Sequence, residues 1–295
     1  MAEVVVVERF VDGAGRREND LVASEETVAL VIDDGVRFDL IVSPRDLTAM
    51  AVGFLFAEGL IRSADDLDRV VVERLDDGEC LRLERDGRGA SRGGAAGGPL
   101  ADVAGGARGA PGDEVAVVRA FTAEGSAGRE LLGRWTEVRS TGCVGVKAQY
   151  GDLVPVPRGD WTVAPEALFA AQANLVANAS TWSATGGCHA TGVFDREGRL
   201  LHFAEDVGRH TSVDKALGKA LLAGERFEER MLVTTGRLAA AMVAKAIRAG
   251  VPLMASKAAP LNWGVRLAES NGLTLVGFAR APRLNVYANA WRLTE

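Results

Sequence analysis

Cys143 is the first candidate for chemistry in this sequence, because it lies between two glycines in the stretch RSTGCVGVKAQ (139–149). A thiol on such a loop can act as a nucleophile or carry sulfur when nearby cations favour the thiolate. Arg139 and Lys147 stand four residues to either side of it. The alternative is a small buried hydrophobe, which is the usual state of a free cysteine.

The sequence also places three cationic turns between predicted strands and predicted helices. These turns are EDVGRH (205–210), TTGR (234–237) and SKAAP (256–260). A helix N-terminus offers unpaired N–H groups, glycine allows close approach to the backbone, and Arg209, Arg237 and Lys257 add positive charge. Ligands of open α/β folds bind outside the carboxyl ends of the strands, so the turns predict a pocket for a phosphorylated ligand. Alternatively, the glycines only permit tight turns and the cations are solvated.

The histidines do not form a zinc-deaminase motif. That motif pairs H-x-E with P-C-x-x-C, but no glutamate follows His189 at the required spacing and the chain has no C-x-x-C. A mixed site of Cys143, Cys188 and His189 is disfavoured, because neighbouring residues of a strand point to opposite faces. His210 is either a packing residue held by Asp206 at the start of a helix, or a proton donor or ligand contact.

The N-terminal elements follow from hydrophobic patterning. Runs rich in β-branched residues predict strands at 4–7, 27–32 and 36–42. A helix is predicted to follow them, with Ser43 as its N-cap and Asp46 three residues later in capping-box spacing. Its heavily apolar body predicts a buried helix.

The second half of the chain has a different pattern of predicted elements from the first. Residues 85 to 113 are dense in Gly and Ala, which predicts a flexible insertion. A helix over 165–178 and a hairpin turn at 195–198 are predicted beyond it. Short apolar strands then alternate with helices, the first of which opens with Thr211 and Asp214 in capping-box spacing. This alternation predicts a layered α/β domain with largely parallel strands.

Composition narrows the class of protein. The formal charge of −6 argues against a nucleic-acid coat or an anionic membrane surface as the main partner. No apolar run approaches the ~20 residues needed to span a bilayer, and the start lacks the features of a signal peptide, so a cytoplasmic protein is expected. The three cysteines are few and far apart, which does not suit a disulfide framework, and Cys80 and Cys188 are interpreted as structural.

Several long segments resemble, in order and spacing, the FdhD family of formate dehydrogenase accessory sulfurtransferases. The resemblance runs from about Ser43 to the C-terminus, apart from the glycine-rich insertion. Its segments are DLTAMAVGFLFAEGLI, TGGCHA, EDVGRHTSVDK, TTGRLAAAMVAKAIRAGVPLMASKAAP and LAESNGLTLVGFARAPRLNVYA.

The resemblance implies a fold, a ligand and partners. Family members have a smaller N-terminal α/β portion, expected here over 1–130 with the insertion 85–113, and a cytidine-deaminase-like three-layer α/β/α domain, expected over 131–295. They are homodimers that accept sulfur as a persulfide from a cysteine desulfurase. They pass it to a molybdenum cofactor, bis-molybdopterin guanine dinucleotide, for formate dehydrogenase. No catalytic zinc is expected.

The candidate site residues combine these arguments. Cys143 and His210 are the candidate catalytic residues. The candidate cofactor-binding residues are Gly186, Gly187, His189, Asp206, Gly208, Arg209, Asp214, Lys215, Thr235, Gly236, Arg237 and Lys257.

The chain also departs from the family pattern, most clearly at the loop where the family carries C-x-x-C. Here the loop keeps Cys143 but has lost the second cysteine, and residues 240 and 241, where a carboxylate is usual nearby, are alanines. Three hypotheses stay open. The chain is a one-cysteine sulfur carrier, a chaperone that binds the cofactor without sulfur chemistry, or a paralogue adapted to a small metabolite.

Overall fold

The computed structural model describes residues 2–74, 80–85, 90–91, 114–123 and 153–294. The Cys143 loop and the predicted boundary after residue 130 lie outside these residues, as does most of the predicted flexible insertion. Within that insertion, Arg85 ends one strand and Ala90–Ser91 form the next, and its flexibility stays a prediction. Along the described residues, no helix is both long and apolar enough to cross a lipid bilayer.

Two antiparallel strands open the chain. They are β1 (Ala2–Val11) and β2 (Ala14–Ala23), which pair with each other. The predicted strand at 4–7 is confirmed within β1. No strand was predicted at β2, because its RREND segment is polar and β2 is largely exposed rather than packed in a core.

A six-stranded sheet follows in the order β4-β3-β8-β5-β6-β7. Its strands are β3 (Glu26–Ile32), β4 (Val36–Val42), β5 (Leu67–Arg74), β6 (Cys80–Arg85), β7 (Ala90–Ser91) and β8 (Glu114–Thr122). The predicted strands at 27–32 and 36–42 are confirmed.

Helix α1 (Leu47–Ala57) packs against this sheet, and all its residues but one are buried, as its composition predicts. The predicted start at Ser43 is wrong. The helix begins at Leu47, with Asp46 at the N-cap in a left-handed conformation (φ 55°) and without a side-chain cap. Ser43 cannot cap this helix because its backbone and hydroxyl groups bind Asp206, Val207 and Lys215 in the second half of the chain.

The second six-stranded sheet has the order β10-β9-β11-β12-β13-β14. Its strands are β9 (His189–Phe194), β10 (Leu200–Asp206), β11 (Met231–Thr234), β12 (Leu253–Ser256), β13 (Thr274–Arg280) and β14 (Arg283–Ala288). The prediction of largely parallel strands is wrong for this sheet. Only the β11–β12 and β12–β13 pairs are parallel, because the hairpins β9–β10 and β13–β14 return the chain at both sides.

One consequence of the predicted topology nevertheless holds. Strand β10 is antiparallel to β9, and β9 is antiparallel to β11, so β10 runs in the same direction as β11, β12 and β13. The carboxyl ends of these four strands therefore meet at one edge of the sheet, which we call the carboxyl edge. All three cationic turns lie there.

Helices cover both faces of this sheet and form three layers, which agrees with the predicted α/β class. The helices are α2 (Pro165–Asn178), α3 (Ser180–Thr185), α4 (Arg209–Leu222), α5 (Ala240–Arg248) and α6 (Asn262–Ser270). Alternate residues along β11 show the two faces, since Leu232 packs with α4 and α5 while Val233 packs with α2. The predicted helix over 165–178 is confirmed. The predicted capping role of Thr211 is wrong, because α4 begins at Arg209 with Gly208 at its N-cap.

Helices α1 and α4 cross at two glycines and join the two halves of the molecule. A Cβ added at Gly53 would overlap the carbonyl oxygen of Asp214, and one added at Gly218 would overlap that of Ala49. Apolar residues from the first sheet, α1, α4 and α5 form one continuous core cluster. The position of α4, which carries Arg209 and His210 at its start, is therefore fixed by contact with the first half.

Candidate functional site

The carboxyl edge brings together most of the predicted cofactor-binding residues. Arg209 follows β10, Thr235 to Arg237 follow β11, and Lys257 follows β12. His189 reaches the same edge from the opposite chain direction, because it begins β9 and is paired with Asp206 at the end of β10. The antiparallel pairing of β9 with β10, through the hairpin predicted at 195–198, is therefore what places His189 in the site.

The turn after β10 is held by the buried carboxylate of Asp206. Its Oδ1 accepts a hydrogen bond from the Gly208 N–H at 2.7 Å, and its Oδ2 accepts from the Lys215 ammonium at 2.6 Å and from the Ser43 N–H at 3.0 Å. Burial raises the pKa of Asp206, against the lowering effect of Lys215 and these N–H groups. Asp206 thus fixes the backbone that carries Arg209.

The turn after β11 is fixed by hydroxyl groups. Thr235 Oγ1 accepts from the Ala190 N–H at 3.0 Å and lies 3.4 Å from His189 Nδ1. Gly236 is needed because a Cβ there would lie 2.9 Å from the Cβ of Arg209, so the turns after β10 and β11 touch. Ser256, which ends β12, donates its hydroxyl to the Gly236 carbonyl at 2.7 Å and links the third turn to the second.

Both histidines of the site are kept neutral by their surroundings. Burial, followed by the charges of Arg209 and Arg237, lowers the pKa of His189. Burial, followed by Lys245, Arg209 and His189, lowers the pKa of His210 to about 3. Within the described part of the chain, the buried Nε2 of His210 has no hydrogen-bond partner. An anion bound beside the two histidines would give the His210 Nε2 a hydrogen-bond partner. Its negative charge would also balance the positive charge of the neighbouring arginines.

The shifted pKa of His210 predicts a loss of stability in acid. The unfolded chain binds a proton on this imidazole below pH 6.5, whereas the folded chain stays neutral down to about pH 3. Stability is therefore lost as pH falls through 6.5, by about 1.4 kcal/mol per pH unit, or about 2 kcal/mol at pH 5. We expect urea unfolding of His210→Gln to lack this loss.

His202→Gln is the control, because it also removes one imidazole. His202 lies on β10, and its ring nitrogen is 3.5 Å from a carboxylate oxygen of Glu225. The raised pKa of Asp214, about 6, acts in the opposite direction between pH 6 and 4, but it is present in every variant and cancels in the comparison. An acid slope in His210→Gln equal to that of the parent would show that His210 is protonated in the folded state.

Lys257, after β12, lies against an aromatic ring. Its ammonium is 3.6 Å from the centroid of Trp182, a residue of α3. Burial and then the charge of Arg280 lower the pKa of Lys257. Arg280 ends β13, so a fourth cation belongs to the carboxyl edge. Arg280 was not among the predicted site residues, although it directly follows the apolar run LTLVGFA (273–279) and ligands of open α/β folds bind outside the carboxyl ends of strands.

Asp214 and Lys215 occupy the interior of the molecule. Lys215 is fully buried against Asp206 and the Ser43 carbonyl oxygen, and Asp214 pairs with Lys245 at 2.7 Å. Through these ion pairs, Asp214 and Lys215 support the residues of the site from inside the molecule. That either residue contacts a ligand directly stays a prediction, and their burial disfavours it.

Steric constraints explain why glycine occupies positions 186 and 187 of the predicted site. Gly186 ends α3 in a left-handed conformation (φ 66°), and Gly187 packs so closely on β2 that a Cβ would lie 2.8 Å from the Cβ of Ala23. Cys188, next to them, is buried, and burial raises the pKa of its thiol. This agrees with its interpretation as structural. Cys143 lies outside the described residues, so its distance to the site is a prediction.

A cavity of about 420 Å³ lies at the other end of α4 and is a poor candidate for a phosphorylated ligand. Carboxylates predominate among its charged groups, with Asp65, Asp68 and Glu225 facing a single cation, Arg69. Among the described residues, no group of three or more His, Cys, Asp and Glu side chains could hold a metal ion. The carboxyl edge, where cations meet, is therefore the candidate site.

Comparisons with known proteins show relatives of this chain and of its fold. The sulfur carrier protein FdhD of Streptomyces avermitilis is 32% identical over 97% of this chain and 93% of its own length. The FdhD of Anaeromyxobacter dehalogenans is 33% identical over 98% of this chain and 93% of its own. The crystal structure of a proposed formate dehydrogenase accessory protein from Desulfotalea psychrophila has a similar fold, with a TM-score of 0.69 at 23% identity over 100% of this chain and 99% of its own.

The profile of the FdhD/NarQ family matches residues 23–294, which include both sheets and the whole carboxyl edge. The resemblance first seen in separate segments thus extends over nearly the entire sequence. The chain belongs to the FdhD/NarQ family.

Proposed function

We propose that this protein carries sulfur on Cys143 and delivers it to a molybdenum cofactor held at the carboxyl edge, for the maturation of formate dehydrogenase. A cysteine desulfurase is the proposed donor and bis-molybdopterin guanine dinucleotide the proposed acceptor. The observation that carries the proposal is the meeting of Arg209, Arg237 and Lys257 at one edge of the sheet, beside an imidazole whose buried Nε2 has no partner in the described structure.

Sulfur loading requires only one thiol. The Cys143 thiolate attacks the terminal sulfur of the donor's cysteine persulfide, a new S–S bond forms, and the donor's own thiolate leaves. The product is a persulfide on Cys143, and no external oxidant or reductant is consumed. The loss of the second loop cysteine therefore removes a relay or resolving partner, but not the loading reaction.

The carboxyl edge fits the anionic part of the proposed acceptor. Arg209, Arg237 and Lys257 would bind its phosphate groups, and the Gly236 turn presents backbone where a side chain would collide with Arg209. When bound, the cofactor would supply the molybdenum centre that receives sulfur. A pKa of about 3 makes His210 a poor base at neutral pH, so its proposed role is a hydrogen bond to the ligand, whose negative charge would in turn raise that pKa.

Sulfur carriage is tested by intact-mass measurement after incubation with a cysteine desulfurase and cysteine. We expect the protein to gain one sulfur atom that dithiothreitol removes, and Cys143→Ala to gain none. Cys188→Ala is the matched control, because this buried thiol should not load. Equal loading of the parent and Cys143→Ala, or no loading of either, would refute carriage by Cys143.

Ligand binding is tested separately with GDP, a fragment of the proposed cofactor. At a hundred times its dissociation constant GDP should stabilise the fold by about 2.7 kcal/mol. Arg237→Gln, at an exposed position, should weaken binding by about tenfold or more, since a hydrogen bond to a charged group contributes about 1.5 to 3 kcal/mol. Arg226→Gln, at the opposite edge of the sheet, removes the same charge and should bind normally.

The two tests separate the hypotheses. GDP binding without sulfur loading would indicate a chaperone for the cofactor. If the parent protein loads sulfur but does not bind GDP, the carboxyl edge is not the site that binds the sulfur acceptor.

A further inference from the structure

The cavity of about 420 Å³ lies where the two halves of the chain meet, at the end of α4 that is remote from the carboxyl edge. Its lining comes from the segment 63–69, which leads into β5, and from residues 221–225, at the end of α4. Ligand cavities usually measure about 300 to 1,000 Å³ and often lie at junctions between domains. The size and the position of this cavity therefore suit a small molecule.

Part of the lining is apolar. Leu67 is buried at the start of β5, and Leu221 and Leu222 pack against the continuous core that joins the two halves. Contact with such side chains is favourable for methylene groups, because it removes them from water. The lining therefore suits a ligand with an aliphatic part.

The charged part of the lining is mainly negative. It contains three carboxylates, those of Asp65, Asp68 and Glu225, and one cation, Arg69. The guanidinium of Arg69 lies 4.1 Å from the centroid of the Phe121 ring. Asp68 lies where the pairing of β5 with β8 shifts register, and it forms no ion pair with any residue that the structure describes. A positively charged ligand would give Asp68 a partner of opposite charge.

The end of α4 adds to the negative potential. The last carbonyl groups of a helix carry partial negative charge, and cations beside them are stabilised. The carbonyl of Leu221 accepts a hydrogen bond from the Gly224 N–H, whereas that of Leu222 accepts no backbone hydrogen bond within the described segments. The Leu222 oxygen is thus available to an N–H group of a ligand.

The carboxylates of the cavity do not suit a bare metal ion. In the described parts of the chain, no three His, Cys, Asp or Glu side chains are grouped so that they could hold one, so these carboxylates do not converge on a single point. Separated carboxylates together with apolar side chains match a cation whose charges stand apart on an aliphatic chain.

We propose that the cavity at the end of α4 binds a short aliphatic diamine. One ammonium group pairs with the carboxylates of Asp65 and Asp68, the other lies at the carbonyl end of α4, and the methylene groups contact the leucines. Because the lining comes from both halves, the diamine binds only while they are docked, and it stabilises the folded state by mass action. The site is independent of the proposed sulfur transfer.

Calorimetry with 1,4-diaminobutane at low ionic strength tests the site. We expect saturable binding that Asp68→Asn weakens by about fivefold, which is the effect of losing one exposed ion pair. Asp160→Asn, at an exposed position outside the cavity, removes the same charge and should bind as the parent does. n-Butylamine, which has the same chain but one charge, should bind at least fivefold more weakly than the diamine.

Two further measurements locate the ligand and exclude a simple counter-ion. Ala223→Trp places a large ring in the lining and should abolish binding, and circular dichroism checks that this variant is folded. Magnesium chloride should show no saturable binding. Equal diamine binding by the parent, Asp68→Asn and folded Ala223→Trp would overturn the site. Saturable Mg²⁺ binding that Asp68→Asn weakens to the same degree would overturn it as well, and so would a parent protein that gives no heat and no rise in melting temperature with the diamine.

Discussion

Replacing Lys245 with methionine is expected to lower the free energy of unfolding by about 3 to 5 kcal/mol. The Lys245 ammonium is almost fully buried and lies 2.7 Å from Asp214 Oδ1 and 2.8 Å from Glu58 Oε1. Without it, two carboxylates face each other inside the molecule. Burial already raises the pKa of Asp214 to about 6, against the lowering by Lys245, so the variant should retain a proton on Asp214 at neutral pH.

Urea unfolding at pH 7 measures this effect. The matched control is Lys219→Met on α4, whose ammonium pairs with Asp46 at 2.7 Å near the surface and whose loss should cost less than about 1 kcal/mol. If Lys245→Met fails to fold, Lys245→Met combined with Asp214→Asn should recover folding, because it removes one buried charge as well as its partner. Equal effects of the Lys245 and Lys219 variants would show that the buried ion pairs do not hold the two halves together.

Replacing Gly218 with alanine is expected to destabilise the protein by about 3 kcal/mol or more. The added Cβ would overlap the carbonyl oxygen of Ala49, and it would lie 2.8 Å from the backbone nitrogen of Gly53. Backbone atoms on both helices leave no side chain that could move aside. Helices α1 and α4 would have to separate and open the core between the two sheets.

The sign of the change in melting temperature tests this prediction. Alanine is favoured over glycine in a helix by about 1 kcal/mol, so helix propensity alone would raise the melting temperature. A lower temperature therefore reports the helix crossing, and a higher one would contradict it. Gly53→Ala should act in the same direction, since its Cβ would overlap the Asp214 carbonyl oxygen. Because α4 carries Arg209 and His210 at its start, both variants should also weaken GDP binding when measured at a temperature where they are folded.

These two predictions concern the same structural relation. The residues that support the candidate site belong to both halves of the chain. Ser43 precedes α1 and binds Asp206 and Lys215, and Glu58 follows α1 and binds Lys245. The site is therefore built from the second half but positioned by the first, which gives the N-terminal sheet a role beyond its own stability.

Much of the site could be read from local sequence. A strand followed by a cation and a helix, with a glycine in two of the three turns, determines its own geometry, because the turn must join the carboxyl end of a strand to a helix N-terminus. Arg209, Arg237 and Lys257 were found in this way, and the structure brings their turns to one edge. This pattern does not select Arg280, because a hairpin rather than a helix follows it.

Predictions from local sequence were wrong where groups from distant parts of the chain bind the same atoms. Ser43 and Thr211 both have the spacing of helix caps, but Ser43 is used by a buried lysine and carboxylate about 160 to 170 residues away, and α4 starts before Thr211. Capping preferences are worth about 1 kcal/mol, whereas removing one partner of a buried ion pair costs several. The stronger interaction decided the local conformation.

The sequence by itself determined the family, the α/β class and the cations that follow three of its strands, because these depend on residue order and on patterns of a few residues. Only the tertiary structure decided which groups meet. The antiparallel β9 brings His189 to the site, the parallel pairing of β12 with β13 brings Arg280 to the same edge as Lys257, and the crossing at Gly53 and Gly218 sets the position of α4. Each of these depends on contacts between segments far apart in the chain, and such contacts cannot be predicted from the spacing of residues along one segment.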